Sequence, residues 1–314
     1  MEKQITIIGA AIMDVLASPV KISKLEIGTQ PMDDIRLSYG GDALNESVVL
    51  SRLGIKPRLI SKIGDDTAGD QILKFLLGEG IDCEAVCVNK DVTTSMNIVL
   101  VDEKGERYFL TNPIGSMRKF AKKDVLKYKE HLTDFVVFTG MFVSPIMDID
   151  SMEEVFKEIK SKKDRILSVD MTKPKNGEKL SDIKQLLKYV DFIFPNEDEI
   201  SLITGKKDVL YNAERLVEAG VGCAVIKCGD RGCVIRTKDQ LFELPAYKSE
   251  RVIDTTGAGD SFVAGFQYGL INGFSLKECG LFANAVASCT VESLGATSGI
   301  TSIEIPMLRY KELI

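Results

Sequence analysis

Six short runs rich in β-branched and other apolar residues, at positions 5–8, 59–63, 135–138, 166–169, 192–194 and 224–227, alternate with segments of helical spacing along most of the chain. Strands apolar at every position have both faces covered, and strand alternating with helix makes a mainly parallel sheet between two helical layers. The helices carry punctuation: residues 43–53 pair Leu44 with Val48 and Val49 with Leu53 and stop at Gly54, and Ser275 with Glu278 forms a capping box. The expectation is an α/β fold.

Two stretches, 15–39 and 93–112, break that alternation. The second reads as a hairpin in which Asn97 to Val101 returns as Arg107 to Leu110 across the turn Asp102-Glu103-Lys104-Gly105. Together they are expected to form a small antiparallel sheet over the carboxyl ends of the parallel strands, where it would act as a lid. Residues 1–14, 40–92 and 113–314 are left as the core.

Composition removes several classes of function. With 314 residues, 45% of them hydrophobic, the chain can bury a large core, and 40 basic against 46 acidic residues give a net charge of −6. There is no basic stripe interleaved with aromatics, so nucleic acid is not an expected partner. Seven scattered cysteines without a CxxC pair, and the single histidine His131, argue against a structural zinc site and for a reducing, cytoplasmic setting. His131 sits in a lysine-rich stretch and reads as a surface residue. Asp14 interrupts the N-terminal apolar run too early for a signal peptide, and no stretch nears the roughly 18 apolar residues of a membrane span.

The chemistry is carried by Asp254-Thr255-Thr256-Gly257-Ala258-Gly259-Asp260, followed by helical spacing at Phe262, Phe266 and Leu270. Gly257, Ala258 and Gly259 let consecutive N–H groups converge at a helix N-terminus, which makes an anion hole, and Asp260 in the first turn can take a proton from an attacking hydroxyl. An ordinary helix start capped by Asp260 is the competing reading of the same residues. A second cluster, Gly40-Gly41-Asp42-Ala43-Leu44-Asn45, lets a ligand approach the backbone at Gly41 while Asp42 and Asn45 face its hydroxyls. Asp14, taken as the end of the first strand, falls in the same crevice.

These two clusters resemble the signatures of the ribokinase-like, PfkB-type carbohydrate kinases, and the resemblance covers essentially the whole chain. The first signature is matched at Gly40, Gly41, Ala43, Asn45, Ser47, Gly54 and Gly64; the second runs from Asp254 to Phe266 and departs at Gln267. The resemblance implies a phosphotransferase that moves the γ-phosphoryl of ATP to a sugar hydroxyl, with Asp260 as base. It also implies that Asn196 and Glu199, in Pro195-Asn196-Glu197-Asp198-Glu199, organise Mg²⁺ largely through water. Lys227, Gly229 and Gly232 resemble the hairpin beside ATP, and Asn284 a position by the adenine. Asp254 and the Thr256 carbonyl resemble ligands of a monovalent cation, K⁺, closed by the backbone of Thr290, Ser293 and Gly295. Lys173 would help the anion hole to stabilise the moving phosphoryl group.

The acceptor is read less directly. Gly-Gly-Asp-Ala-Leu-Asn replaces the Gly-Gly-Lys-Gly-Ala-Asn of many relatives, so ribose does not follow, and Asp42 points to a polyhydroxyl acceptor. Arg107, Arg118 and Lys173 are cations able to meet a carboxylate or phosphate, which keeps sugar acids open. A nucleoside acceptor would want aromatic walls, for which Tyr39, Tyr108, Phe109 and Phe142 are available. The expectation is thus a monosaccharide or sugar-acid kinase, with a nucleoside kinase of the same fold as alternative, working as a homodimer paired through the lid. A nicotinamide dehydrogenase would need GxGxxG after the first strand, where the chain reads Gly9-Ala10-Ala11-Ile12-Met13-Asp14. A purely sugar-sensing module would not need Asp260.

Overall fold

The computed structural model describes residues 3–21, 28–29, 31–103 and 107–314; the side chain of Arg107 and the turn residues Lys104 and Gly105 lie outside this description. In chain order the strands are β1 (Gln4–Ile8), β2 (Ile12–Ser18), β3 (Asp34–Gly40), β4 (Lys56–Gly64), β5 (Val86–Asn89), β6 (Met96–Val101), β7 (Arg107–Thr111), β8 (Phe135–Met141), β9 (Ile166–Met171), β10 (Phe192–Phe194), β11 (Cys223–Lys227), β12 (Cys233–Arg236) and β13 (Leu241–Leu244). The helices are α1 (Asp42–Arg52), α2 (Thr67–Gly78), α3 (Lys122–Leu126), α4 (Ile149–Ile159), α5 (Leu180–Leu187), α6 (Glu197–Thr204), α7 (Val209–Glu218), α8 (Ala258–Ile271), α9 (Leu276–Thr290) and α10 (Glu304–Leu313).

Nine strands form one sheet in the order β13-β12-β11-β10-β9-β8-β1-β4-β5. From β11 to β5 every pairing is parallel, while β12 and β13 add an antiparallel edge. Successive residues of a strand point to opposite faces, and the core divides accordingly. Ile5 and Ile7, Val137, Phe194, Cys223 and Val225 pack against α1, α2, α8, α9 and α10. Ile8, Val136, Phe138, Leu167, Val169, Ile193, Ala224 and Ile226 pack against α3 to α7. This two-sided burial is why the strand runs are apolar at every position.

A separate four-stranded sheet, β3-β2-β6-β7, has β2 antiparallel to β3 and parallel to β6, and β6 antiparallel to β7. Its boundaries differ from the sequence expectation at β2, which starts at Ile12, so Asp14 does not end β1 but sits inside the small sheet opposite Ser38 and Asn97. The break comes at Gly9, where a Cβ would lie 3.0 Å from Thr139 Oγ1 and 3.1 Å from the Ala43 side chain. The chain leaves the large sheet there with its backbone close against β8 and α1, at φ 158°, a position that glycine suits. Among the described residues, no helix is long and apolar enough to cross a membrane. All seven cysteines are free, five of them buried, and His131 is exposed.

Candidate active site

Gly257 ends the approach to α8 in the left-handed conformation, φ 74°, and a Cβ there would lie 2.4 Å from the Ala296 carbonyl oxygen, so glycine is required for both shape and space. The helix begins without a side-chain cap, and Asp260 lies in its first turn with its carboxylate free of any capping bond. Among the described residues, the N–H groups of Gly257, Gly259 and Asp260 meet no protein acceptor. That of Ala258, the middle member of the expected anion hole, instead donates to the Thr255 carbonyl at 3.2 Å. The open donors and the dipole of a 14-residue helix make the cradle suited to a phosphate. Gly259 leaves room for a cation as well: a Cβ there would sit 3.5 Å from Lys227 Nζ.

Asp260 Oδ2 accepts a hydrogen bond from Asn45 Nδ2 at 2.7 Å. Burial, reinforced by neighbouring Asp42 and Asp170, pushes the Asp260 carboxyl up to about 8, against the lowering effect of Asn45 and Lys227. Asp42, at the start of α1, is pushed up to about 6, first by burial and then by Asp170. Gly41 caps that helix with φ 96°; a Cβ there would fall 2.5 Å from the Ala10 carbonyl, which instead accepts from Leu44 N at 3.2 Å. One turn after Asp42 on α1, Glu46 is fully buried with neither carboxylate oxygen bonded, and its pKa is raised well above the usual range by burial and by Asp170.

The counter-charge is Lys227, at the end of β11. Its Nζ meets Asp170 Oδ1 at 2.7 Å, with both side chains nearly buried. Asp170 is two residues beyond Ser168 on β9 and Lys227 two beyond Val225 on β11, so the period of two turns both toward the α1 and α8 layer. Asn196 and Glu199 form a reciprocal cap on α6: Asn196 Oδ1 accepts from Glu199 N at 2.9 Å, and Glu199 Oε2 from Asn196 N at 2.8 Å. Burial pushes the Glu199 carboxyl up to about 7 despite Lys227.

Asp254 is buried and joins two loops, its Oδ1 accepting from Thr256 N at 2.9 Å and its Oδ2 from Gly295 N at 2.8 Å. Thr290 Oγ1 bonds Ser261 Oγ at 2.7 Å, and the Thr290 carbonyl accepts from Ser293 N at 3.2 Å. Gly229 faces open space with φ 59°, whereas Gly232 is needed by the turn itself, since a Cβ would fall 2.0 Å from the Leu244 carbonyl oxygen. Asn284 is buried on α9 and donates to the Pro245 carbonyl at 3.0 Å.

A cleft of about 400 Å³ opens between the two sheets, with Gly257 and Asp260 on one wall, Gly41, Asp42 and Asn45 beside them, and Asp14, Ser38, Asn97 and Phe109 of the small sheet opposite. Asn97 Nδ2 donates to Asp14 Oδ1 at 2.8 Å. Lys173 is exposed and does not line this cleft; Lys175, two residues on, does, together with Arg118. Sequence reasoning passed over Asp170, Glu46, Asn97 and Lys175. Of these only Asp170 carried a signal, an acid closing an otherwise apolar strand.

A family model described as the pfkB family carbohydrate kinase matches residues 2–303. An uncharacterized sugar kinase of Archaeoglobus fulgidus is 32% identical over 256 residues, covering 80% of this chain and 97% of that protein. A nucleoside kinase of Methanothermobacter thermautotrophicus is 31% identical over 268 residues, covering 85% and 82%. Among solved structures, a ribokinase of Arabidopsis thaliana complexed with ribose and ATP superposes with a TM-score of 0.85 at 21% identity, covering 99% of both chains, a likeness of fold.

Proposed function

The chain belongs to the pfkB family of carbohydrate kinases, and on that premise we propose that it transfers the γ-phosphoryl of ATP to a hydroxyl of a monosaccharide or sugar acid. It is a phosphotransferase acting on a sugar hydroxyl. One observation carries the reading: Asp260 lies in the first turn of α8, held by Asn45 at the head of the cleft, beside backbone donors that no protein group engages.

The residues divide the work by type. Asp260 removes the hydroxyl proton as the acceptor attacks, and its raised pKa lets it hold that proton afterwards. The Gly257 and Gly259 amides, the positive end of α8 and Lys227 stabilise charge on the moving group. Asp14, Asp42 and Asn45 orient acceptor hydroxyls, with Gly41 giving backbone access. Gly229, Gly232 and Asn284 shape the nucleotide side. Bound Mg²⁺ would neutralise the phosphates.

Among the described residues, no three acidic, histidine or cysteine side chains are placed to hold a metal ion. Bound Mg²⁺ would be carried mainly by phosphates and water, with Glu199, whose Oε1 takes no part in the α6 cap, available to it and Asn196 fixing Glu199. For K⁺, Asp254 has both oxygens on backbone N–H groups, so the site would be built on their second lone pairs and on carbonyls of Thr256, Thr290, Ser293 and Gly295. The small sheet acts as a lid that excludes water. Its outer face is apolar in two cross-strand rows, Leu37-Val15-Ile98-Leu110 and Ile35-Ala17-Leu100-Tyr108, and a second copy of the same face is the cover we assign to it.

A nucleoside acceptor is the second reading. It is favoured by Phe109, an exposed ring on the cleft wall able to stack on a base, and by the nucleoside kinase relative. An ATP-consumption screen over sugars, sugar acids and nucleosides, with Mg²⁺ and with or without K⁺, decides between them. Phosphorylation of a sugar or sugar acid is expected. A nucleoside preferred by tenfold or more, about 1.4 kcal/mol, would replace it with the second reading, and an unchanged rate without K⁺ would remove the cation site.

A further inference from the structure

The cleft carries only two basic side chains among its described lining residues, Arg118 and Lys175. Both also line an adjoining cavity of about 390 Å³, so they stand where the two spaces meet. Their bonding differs from that of the structural arginines. Arg52 grips Glu79 through two bonds, at 2.9 and 2.6 Å, and two backbone carbonyls besides. Arg165 donates to the carbonyls of Thr133, Ile159 and Leu132. Arg118, part-buried, has one long bond, Nη1 to the Val143 carbonyl at 3.4 Å, and its Nε is buried without an acceptor.

No carboxylate among the described residues pairs with either cation. In the adjoining cavity, Asp148 Oδ1 caps α4 through Ser151 N at 2.9 Å, and both Glu178 oxygens accept from Asn176. A half-buried guanidinium with most of its planar donor fork unused is costly alone and well shaped for a carboxylate or phosphate.

We propose that Arg118 and Lys175 form an anion subsite for the acceptor, so that the substrate is a sugar bearing a carboxylate or a phosphate monoester, its reacting hydroxyl toward Asp260. The choice of an acceptor as ligand rests on the reaction proposed above. The anion would supply the guanidinium with its missing partner and fix which hydroxyl reaches Asp260.

The test pairs activity with calorimetry, using D-gluconate and D-fructose 6-phosphate as anionic probes and D-glucitol and D-fructose as their neutral counterparts. The expected wild-type ratio of kcat/KM, anionic over neutral, is at least tenfold for one pair, which also tells carboxylate from phosphate. Arg118→Met and the surface substitution Lys175→Gln should each lower that ratio at least tenfold, mainly through KM, and calorimetry on the ligand-free protein should show the anion's Kd weakened to match. Equal turnover of charged and neutral acceptors, with neither variant moving the ratio or the Kd, overturns the subsite and leaves the kinase reaction standing. Anion binding that depends on Arg118, without phosphorylation of any acceptor, supports the subsite and removes the reaction.

Discussion

Asn45 and Asp260 lie 215 positions apart, on different helices, and meet at 2.7 Å through Nδ2 and Oδ2. The bond holds the carboxylate and lowers its pKa against burial and Asp42. Asn45→Leu should therefore reduce kcat/KM by about ten- to a hundredfold at pH 7 and move the acidic, ascending limb of its profile to higher pH. A reduced rate with an unmoved profile would leave Asn45 as a substrate ligand only.

Stability should respond to pH in the direction set by the same group. A carboxyl raised on folding keeps its proton to about 8 in the native state, whereas the unfolded chain gives it up near 4. Over that interval the native state binds more protons, so stability is full below about 4 and falls as pH rises toward 8. Asp42, raised to about 6, and Glu199, raised to about 7, add to the same slope. Melting curves of ligand-free protein from pH 5 to 8 should show this decline, and Asp260→Asn should flatten it and melt higher at pH 8. A wild-type melting temperature that rises over this range would contradict the assignment.

The Lys227 and Asp170 pair makes a separable prediction. Lys227→Met leaves Asp170 as an uncompensated buried acid, which costs roughly 3–5 kcal/mol. Adding Asp170→Asn should recover much of that stability without restoring activity, because Lys227 also faces the phosphate cradle. Denaturant midpoints and kcat measured on the same samples check both halves. Recovery of activity in the double variant would confine Lys227 to a structural role.

Much of this architecture is legible in the sequence because its signals are local. Runs apolar on both faces mark the central strands, and the Gly257 to Asp260 turn marks the start of α8. The edge strands β12 and β13 follow β11 with no α-helix between them, so the strand–helix alternation that marks the other strands does not reach them. Asp14 is misplaced by one strand because the apolar run from Ile5 to Ile12 hides the exit at Gly9. Glu46 gives no sign of a site residue and Asp170 only that of an acid closing an apolar run, because such an acid reads as solvated until groups distant in sequence enclose it: Asp170, Asp260 and Lys227 for Glu46, and Lys227 for Asp170. Lys173 and Lys175 are alike in sequence, and only the path of the loop turns Lys175 to the cleft.

The outer face of the small sheet gives a prediction about assembly. Leu37 on β3, Ile98 on β6 and Leu110 on β7 are 57%, 46% and 58% exposed in one cross-strand row, which a second copy would cover. Sedimentation at micromolar concentration should show a dimer, and Leu37→Asp with Ile98→Asp should convert it to monomer. A wild-type monomer of full activity would remove the pairing.

The central claim, that Asp260 is the base for phosphoryl transfer, is tested most directly by Asp260→Asn. The amide keeps the shape and the contact with Asn45 but cannot take the hydroxyl proton. Turnover should fall by on the order of 10² to 10⁴ or more while calorimetry shows ATP bound as in the wild type. Turnover within a few-fold of wild type, on the same acceptor and with the same ATP affinity, would contradict it.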